Sequence, residues 1–369
     1  MPEQIPVQGS AQGPGQVCVA VVGATGVVGQ EMLRILAERH FPVGELRLFA
    51  SPRSQGRVIS WDGGDGPREC TVEVLREGCF RGVDIVLMEV ESPLSREWAP
   101  VAVREGAVVI DNSSAWRMDS AVPLVVSEVN PHALQTHQGI IANPNCTTMV
   151  LMPVLKPLDT AATIARVVVS SYQAVSGSGK AGIDALAVEI DKYGNDLHAL
   201  ARSGVTGVEP AQTVYPAAIA FNVIPACDDF ADDGSCETKE ERKLVAESRK
   251  ILERPDLHVA ATCVRVPVIA AHSMSVNVEF RDKMPAAKAR EILAAAPGVI
   301  LAGNGPTGFS TPLHVAGTDS THVGRLRDDE TRPNTIDCFI VGDNLRKGAA
   351  LNCVEIAELL LKNAALRLC

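Results

Sequence analysis

The stretch Val17-Cys-Val-Ala-Val-Val-Gly-Ala-Thr-Gly-Val-Val-Gly29 decides the fold of this chain. Its first six residues are apolar without interruption, which is typical of a central parallel strand covered on both faces. Three glycines follow in the spacing GxxGxxG, and a helix predicted over Gln30–Arg39 comes next. Glycines between a buried strand and a helix let the backbone turn tightly and approach a pyrophosphate at the helix N-terminus. The stretch therefore predicts a dinucleotide site, although a tight structural turn would explain the glycines taken alone.

Downstream of this motif, strands predicted over Leu46–Ala50, Asp84–Met88 and Val108–Ile110 alternate with helical segments. This order indicates an α/β domain with a Rossmann-type, doubly wound sheet. From about residue 147 the pattern changes, and it predicts an α+β domain with a mixed, largely antiparallel sheet. The segments expected there are a helix over Met149–Leu155, strands over Ile164–Ser170, Thr262–Val268 and Ser273–Phe280, and a charged helix over Lys239–Leu252. An amphipathic helix is predicted over Ala349–Asn363.

The second predicted strand leads into Ala50-Ser-Pro-Arg53-Ser54. NAD enzymes usually carry an acidic residue there, which binds the ribose 2′-hydroxyl. This chain offers a cation and a hydroxyl instead, and these suit a 2′-phosphate. We therefore expect NADP rather than NAD, with a solvated surface arginine as the alternative explanation of Arg53.

Composition narrows the range of partners and locations. The net charge of −10 argues against nucleic acid or a membrane surface as a partner. The ten cysteines form no CxxC pair and no zinc-ligand pattern, so we expect no metal and a reducing, cytoplasmic location. No apolar run reaches the length of a membrane span, and residues 1–16, rich in Gln, Gly and Pro, are expected to be a disordered tail.

One cysteine stands apart from the others. Asn143-Pro-Asn-Cys146-Thr-Thr is a polar turn that runs into a predicted helix, so Cys146 faces a helix N-terminus, where a thiolate is stabilised. The other nine cysteines are expected to be mainly core filler. A nucleophilic thiol needs a proton partner, and His272, at the start of a predicted strand, is the best candidate among eight histidines. On spacing alone, a buried structural histidine is an equally good explanation.

Six motifs in order along the chain carry a resemblance to a known family. They are Gly23-Ala-Thr-Gly-Val-Val-Gly29, Ser113-Ser-Ala-Trp-Arg117-Met-Asp, Asn143-Pro-Asn-Cys146-Thr-Thr, Ser171-Tyr-Gln173-Ala-Val-Ser-Gly-Ser-Gly179, Arg265-Val-Pro and Asp343-Asn-Leu-Arg-Lys-Gly-Ala-Ala. Together they resemble the aspartate-semialdehyde dehydrogenases, from Val17 onward. The resemblance implies reversible, NADP-dependent and phosphate-dependent conversion of L-aspartate 4-semialdehyde to 4-aspartyl phosphate through a cysteine thioester, in the biosynthesis of lysine, threonine, methionine and isoleucine.

The resemblance also implies a glyceraldehyde-3-phosphate-dehydrogenase-like fold and assembly as a homodimer or a dimer-based tetramer. It implies an NADP-binding domain formed by residues 17–145 and 346–369, and a catalytic and dimerisation domain formed by residues 146–345. The sequence by itself shows only that the last helix is amphipathic.

The resemblance assigns roles to individual positions. The catalytic residues are Cys146 as nucleophile, His272 as acid/base and Gln173, which also orients the substrate. Arg265 would hold the substrate α-carboxylate and Glu240 its amino group. Arg117, Asn145 and Lys243 would bind phosphate. The expected cofactor contacts are Gly23, Thr25, Gly26, Val27, Val28, Gly29, Arg53, Ser54, Ser176, Gly177 and Asn344.

Plainer explanations exist for several of these residues taken singly. Arg117 would pair with Asp119 or Asp111 on the surface, Lys243 would form an exposed salt bridge along its helix, and Gln173 would be an ordinary strand residue.

Two other functions remain open at this point. The first is an N-acetyl-γ-glutamyl-phosphate reductase, for which Asn-Pro-Gly-Cys-Tyr is expected where this chain has Asn143-Pro-Asn-Cys-Thr. The second is a non-catalytic NADP-binding module, which would have lost the thiol or its histidine.

Overall fold

The structure is a computed structural model that describes residues 16–194, 197–203, 214–303, 305 and 307–363. The disordered tail predicted for residues 1–16 therefore lies outside the described residues, except for Gln16. Two sheets organise the described chain, as the predicted fold class requires. None of the described helices is long and apolar enough to cross a membrane.

The first sheet has seven strands in the order β3-β4-β2-β1-β5-β6-β7, and all neighbouring pairs are parallel except β3 and β4. This parallel arrangement with crossover helices is the Rossmann-type architecture expected from the sequence. The elements are β1 (Val17–Val22), α1 (Val27–Glu38), β2 (Val43–Phe49), β3 (Val58–Asp62), β4 (Pro67–Glu73), β5 (Ile85–Met88), α2 (Ser92–Arg104), β6 (Val108–Asp111) and β7 (Ile140–Ala142).

The glycines after β1 are required by close packing as well as by the turn. Gly23 has a φ of +89°, and a Cβ there would lie 2.0 Å from the carbonyl oxygen of Glu89. A Cβ on Gly29 would lie 2.3 Å from the carbonyl oxygen of Gly23. Side chains at these positions would push α1 away from the sheet. Glycine at both positions therefore keeps the N-terminus of α1 close to the end of β1 and accessible to a ligand.

The second sheet has six strands in the order β11-β12-β13-β10-β8-β9. The pairs β8–β9 and β11–β12 are parallel and the other three are antiparallel, so the sheet is mixed, as predicted. The elements are α3 (Cys146–Ala162), β8 (Ile164–Gln173), α4 (Gly179–Tyr193), α5 (Leu197–Ser203), α6 (Lys239–Ile251), β9 (His258–Arg265), β10 (His272–Phe280), α7 (Ala286–Ala294), β11 (Val299–Leu301), α8 (Pro312–Val315), β12 (Thr321–Asp328), β13 (Thr335–Gly342) and α9 (Leu351–Lys362).

A π-helical turn, Arg346–Ala350, leads into α9. Helix α9 then packs beside α1 on one face of the first sheet, where Leu351 and Val354 share a core with Leu33 and Leu36. The last described part of the chain thus covers a sheet whose first strand begins at Val17.

Candidate active site

Cys146 is the first residue of α3, and its position is fixed by the residue before it. The side-chain oxygen of Asn145 caps the helix by accepting a hydrogen bond of 2.9 Å from the backbone N–H of Thr147. The sulfur of Cys146 lies 3.2 Å from Nε2 of His272, the first residue of β10. The side chain of His272 is completely buried. The structure therefore brings together the thiol and the histidine that the sequence singled out.

The other ring nitrogen of His272 is also engaged. The backbone N–H of Ala174 donates to Nδ1 at 3.0 Å. An acceptor nitrogen carries no proton, so the neutral ring carries its proton on Nε2, the nitrogen that faces the sulfur. Burial, and then the charge of Arg265, lower the pKa of His272 well below its usual value, so the ring is neutral at neutral pH.

The protonation state of Cys146 differs from the expectation of a stabilised thiolate. Burial, and then the negative charge of Glu240, raise the pKa of the thiol to about 11, although Arg265 and Arg117 act in the opposite direction. The favourable effect of one helix N-terminus is typically only about 0.3–1 kcal/mol, which is small beside the cost of burying a charge. The thiol of Cys146 is therefore protonated at neutral pH.

Gln173 and Arg265 reach the site because β8 and β9 run parallel and end together, with Gln173 directly opposite Arg265. The guanidinium of Arg265 donates to the carbonyl oxygen of Ala174 at 2.7 Å, and its buried Nε has no hydrogen-bond partner among the described residues. Gly177 packs against this guanidinium, since a Cβ there would lie 2.8 Å from Nη1. Arg265 thus keeps an unused donor beside Cys146 and His272, as a carboxylate-binding group would.

Glu240, on α6, is buried among the predicted site residues. Its carboxylate accepts from Nδ2 of Asn145 at 2.9 and 3.1 Å and from Nε2 of Gln173 at 3.2 Å. Lys243 lies one turn further along the helix, and its Nζ is 3.4 Å from the Glu240 carboxylate. Gln173 is therefore bound into the site rather than being an ordinary strand residue.

The predicted phosphate residue Arg117 is buried and firmly held. It donates to the carbonyl oxygens of Asn143 and Asn112 and forms an ion pair of 3.1 Å with Glu247. Glu247 also accepts from the backbone N–H of Asn145 at 2.7 Å. Surface pairing of Arg117 with Asp119 or Asp111, the plainer explanation, is not what the structure shows.

Lys243 has two acidic neighbours, Asp228 at 2.6 Å and Glu240. Burial alone would lower its pKa, but Glu240 and Asp228 raise it, so the ammonium group is charged. Its partner Glu240 lies on the same helix, as the salt-bridge explanation had it, but that carboxylate is buried in the site. Asp228 belongs to the loop before α6.

A cavity of about 1000 Å³ lies at the carboxyl ends of the first sheet's strands, and its lining residue Gly177 packs against Arg265 and His272. Eight of the expected cofactor residues line it: Gly23, Thr25, Gly26, Val27, Val28, Arg53, Ser176 and Gly177. Three others lie behind the lining: Gly29 packs on Gly23, Ser54 lies 3.3 Å from the hydroxyl of Thr25, and Asn344 is hydrogen-bonded to Ser176. A cavity of this size, with glycines at a helix N-terminus and Arg53 at the end of β2, fits a dinucleotide.

Sequence reasoning missed four residues that shape the site. Glu247 follows Glu240 and Lys243 at helical spacing, so a helix face carrying all three was visible in the sequence. Asp228 and Glu89, a half-buried carboxylate that lines the cofactor cavity, gave no such signal. Gly348 lies against Cys146, since a Cβ added to it would lie only 2.9 Å from that of the cysteine, and it comes from the far end of the chain.

Comparisons with known proteins show the family to which the chain belongs. The family model described as the semialdehyde dehydrogenase NAD binding domain matches residues 18–137, and the semialdehyde dehydrogenase dimerisation domain matches residues 155–347. The aspartate-semialdehyde dehydrogenase of Streptomyces akiyoshiensis is 52% identical over 342 residues, which cover 92% of this chain and 97% of that protein. That of Aquifex aeolicus is 46% identical, covering 93% of this chain and 98% of that protein.

Solved structures give the same result. The crystal structure of aspartate semialdehyde dehydrogenase II from Vibrio cholerae has a TM-score of 0.86 and 42% identity, and covers 94% of this chain and 99% of that one. A second structure of the Vibrio enzyme, complexed with ASA, matches equally well. In sequence over almost its full length, and in fold, this chain belongs to the aspartate-semialdehyde dehydrogenase family.

Proposed function

We propose that this protein interconverts L-aspartate 4-semialdehyde plus phosphate and 4-aspartyl phosphate, with NADP(H) as the hydride carrier and Cys146 as the nucleophile. The observation that carries the proposal is the pair of Cys146 and His272, 3.2 Å apart, with Gln173, Arg265 and Glu240 around it. In biosynthesis the reaction would run reductively, toward lysine, threonine, methionine and isoleucine.

In the reductive direction, Cys146 attacks the acyl carbon of the acyl phosphate. A carbon–sulfur bond forms, the bond to the phosphate oxygen breaks, and the departing phosphate takes up the proton that the thiol gives up. NADPH, when bound, supplies the hydride that reduces the thioester. The carbon–sulfur bond then breaks, which releases the aldehyde and returns the thiolate, and the sulfur takes up a proton from solvent.

The hydrogen-bond pattern supports a particular role for His272. Because Nδ1 accepts from Ala174, the ring already carries a proton on Nε2 and has no free site at which to take the thiol proton. The same N–H is placed to donate to the sulfur when it is ionised, and to a substrate oxygen that becomes negative beside it. We therefore assign His272 as a hydrogen-bond donor to the thiolate and the oxyanion, a narrower role than general acid and base.

Recognition of the substrate ends follows from charge. The planar guanidinium of Arg265, whose Nε has no partner in the part of the chain that the structure describes, suits the α-carboxylate, and Glu240 suits the amino group. We expect Arg117, Asn145 and Lys243 to bind phosphate, and their shared contacts with Glu240 and Glu247 support this. Arg53 at the end of β2, where NAD enzymes carry an acid, supports NADP as the cofactor.

Neither competing function is favoured. The relatives at 42–52% identity over most of the chain carry the name aspartate-semialdehyde dehydrogenase. A non-catalytic module would not be expected to keep a thiol, a histidine and an unpaired arginine donor in contact range.

The test is an assay of NADPH formation from L-aspartate 4-semialdehyde and NADP, with and without phosphate. We expect activity that depends on phosphate in the wild type and falls below detection in Cys146→Ser, which retains NADPH binding. The proposal would be contradicted by a preference for N-acetyl-glutamate semialdehyde over aspartate semialdehyde. It would also be contradicted by NADPH formation that does not depend on phosphate.

The assembly, the domain division and the location are part of the same proposal. A match to a dimerisation domain supports a homodimer, or a tetramer built from dimers, which light scattering distinguishes. The packing of α9 on the first sheet supports a cofactor domain of residues 17–145 and 346–369 and a catalytic domain of residues 146–345. The nine cysteines that the structure describes are free thiols, which supports a location in the reducing cytoplasm.

A further inference from the structure

The phosphate-binding part of the site carries as many acidic as basic side chains. Its cations, together with the carboxylate-binding arginine, are Arg117, Lys243 and Arg265. The carboxylates in contact with these cations or with Asn145 are Glu240, Glu247 and Asp228. A dianionic phosphate would therefore enter a region whose own charges cancel, rather than a strongly positive pocket.

Two of these carboxylates are tied into the framework of the site. Glu247 holds both Arg117 and the backbone N–H of Asn145, and it is almost completely buried. Glu240 is shared between Asn145 and Gln173. A substitution at either position would also change the hydrogen bonds of Asn145, the residue before the nucleophile.

Asp228 is different. Its only hydrogen bonds among the described residues join it to Lys243, at 2.6 Å, and to the N–H of its own neighbour, Asp229. Its side chain is about one-third exposed, at 34%. Burial would raise its pKa, but the hydrogen bond and charge of Lys243 lower it, so it is ionised at neutral pH. Asp228 therefore occupies one donor of the lysine that phosphate would use.

We infer that Asp228 is an affinity-setting residue for phosphate: its carboxylate shares Lys243 with the bound phosphate and weakens phosphate binding through repulsion. The inference rests on the proposed function, because it concerns the phosphate site of that reaction. The consequence is directional. In the reductive reaction phosphate is the leaving group, and weak binding lets it depart before hydride transfer.

The test replaces Asp228 with Asn. The residue has a φ of +65°, a conformation that Asn accepts as readily as Asp, so the backbone is preserved while the charge is removed. Asp229→Asn is the matched control. It removes the same charge from the next residue, whose side chain pairs with Lys239 rather than with Lys243. Asp228→Gly, which also tolerates positive φ, serves if the Asn variant folds poorly.

For Asp228→Asn we expect the KM for phosphate in the oxidative direction to fall about three- to tenfold, with the KM for the semialdehyde unchanged. Product inhibition by phosphate in the reductive direction should tighten by the same factor. Both effects should shrink as salt is added, because a charge effect near the surface is screened. Protection of Cys146 from iodoacetamide by phosphate gives the dissociation constant without turnover, and it should tighten in parallel.

An unchanged or higher phosphate KM in Asp228→Asn would overturn the inference and make Asp228 a residue that merely anchors Lys243. A change of equal size in Asp229→Asn would also overturn it, since the effect would then be general. Wild-type enzyme without any phosphate-dependent activity would instead refute the proposed function, so the two failures are distinguishable.

Discussion

At the scale of single residues, the site balances a buried thiol against the charges around it. Glu240 is proposed to bind the substrate amino group, yet its charge, after burial, is the main influence that raises the pKa of Cys146. We therefore expect the thiol of the free enzyme to react slowly at neutral pH. A positively charged amino group bound beside Glu240 would offset that charge and favour the thiolate.

This balance predicts the behaviour of Cys146 toward iodoacetamide. The reactive form is the thiolate. Below a pKa of about 11, the ionised fraction of the thiol rises roughly tenfold for each unit by which the pH increases. The alkylation rate of the free enzyme should rise about tenfold per unit from pH 7 to pH 10. A rate that levels off near pH 7 would show that the thiol is already ionised.

Glu240→Gln separates the two roles of Glu240. Removal of its negative charge lowers the pKa of Cys146, so alkylation at neutral pH should be faster than in the wild type. The KM for aspartate semialdehyde should rise at the same time, because the amino group loses its partner. Glu237→Gln, an exposed acid three residues earlier, is the control and should leave both quantities unchanged.

At the scale of elements, the site is formed where strand ends meet a helix start. Gln173, Arg265 and His272 converge because β8, β9 and β10 present their ends at one edge of the second sheet, while Asn145 caps α3. The sequence predicted these segments because each is a long periodic run next to a polar turn. It did not predict the hairpin of β3 and β4, whose residues are mostly exposed and lack a continuous apolar face.

Other elements were missed or shortened for related reasons. Helix α3 was expected over Met149–Leu155 but extends to Cys146–Ala162, because it accommodates Pro153 and Pro157, which usually end a helix. Pairing between residues distant in the chain leaves no local pattern, so Glu247 with Arg117 and Gly348 with Cys146 needed the structure.

The π-helical turn Arg346–Ala350 gives a prediction at this scale. A Cβ at Gly348 would lie 2.9 Å from the Cβ and 3.2 Å from the Cα of Cys146, so Gly348→Ala should displace the nucleophile. Since a shift of about 1 Å at a reacting atom costs on the order of 100-fold, kcat should fall by about that factor while NADPH binding persists. Gly303→Ala, at a position with open space, is the control. Wild-type kcat in Gly348→Ala would show that the turn yields.

At the scale of the whole molecule, Arg346 ties the two sheets together. Its nearly buried guanidinium pairs with Glu31 and Glu38 of α1 and with Asp319, in the loop before β12. One cation thus pairs with two carboxylates of α1, beside the first sheet, and with one carboxylate of a loop of the second sheet. Without Arg346, these carboxylates would repel one another where α1 meets the loop before β12.

Arg346→Met should therefore destabilise the protein by about 1–3 kcal/mol at neutral pH, discounted for the exposure of Glu38 and Asp319. The deficit should shrink as salt is added, because the repulsion among the three carboxylates is then screened. Urea unfolding at low and at high salt concentration measures it. An equal deficit at both would assign the loss to packing rather than charge.

The position of α9 has a consequence for synthesis on the ribosome. The strand that opens the first sheet emerges early, but one helix that covers this sheet is made some three hundred residues later. Until then the nascent chain exposes the apolar surface meant for α9 and is a target for chaperones and for aggregation. Premature termination just before α9 would therefore yield an aggregation-prone polypeptide. Every residue proposed to take part in catalysis or binding would already have been translated.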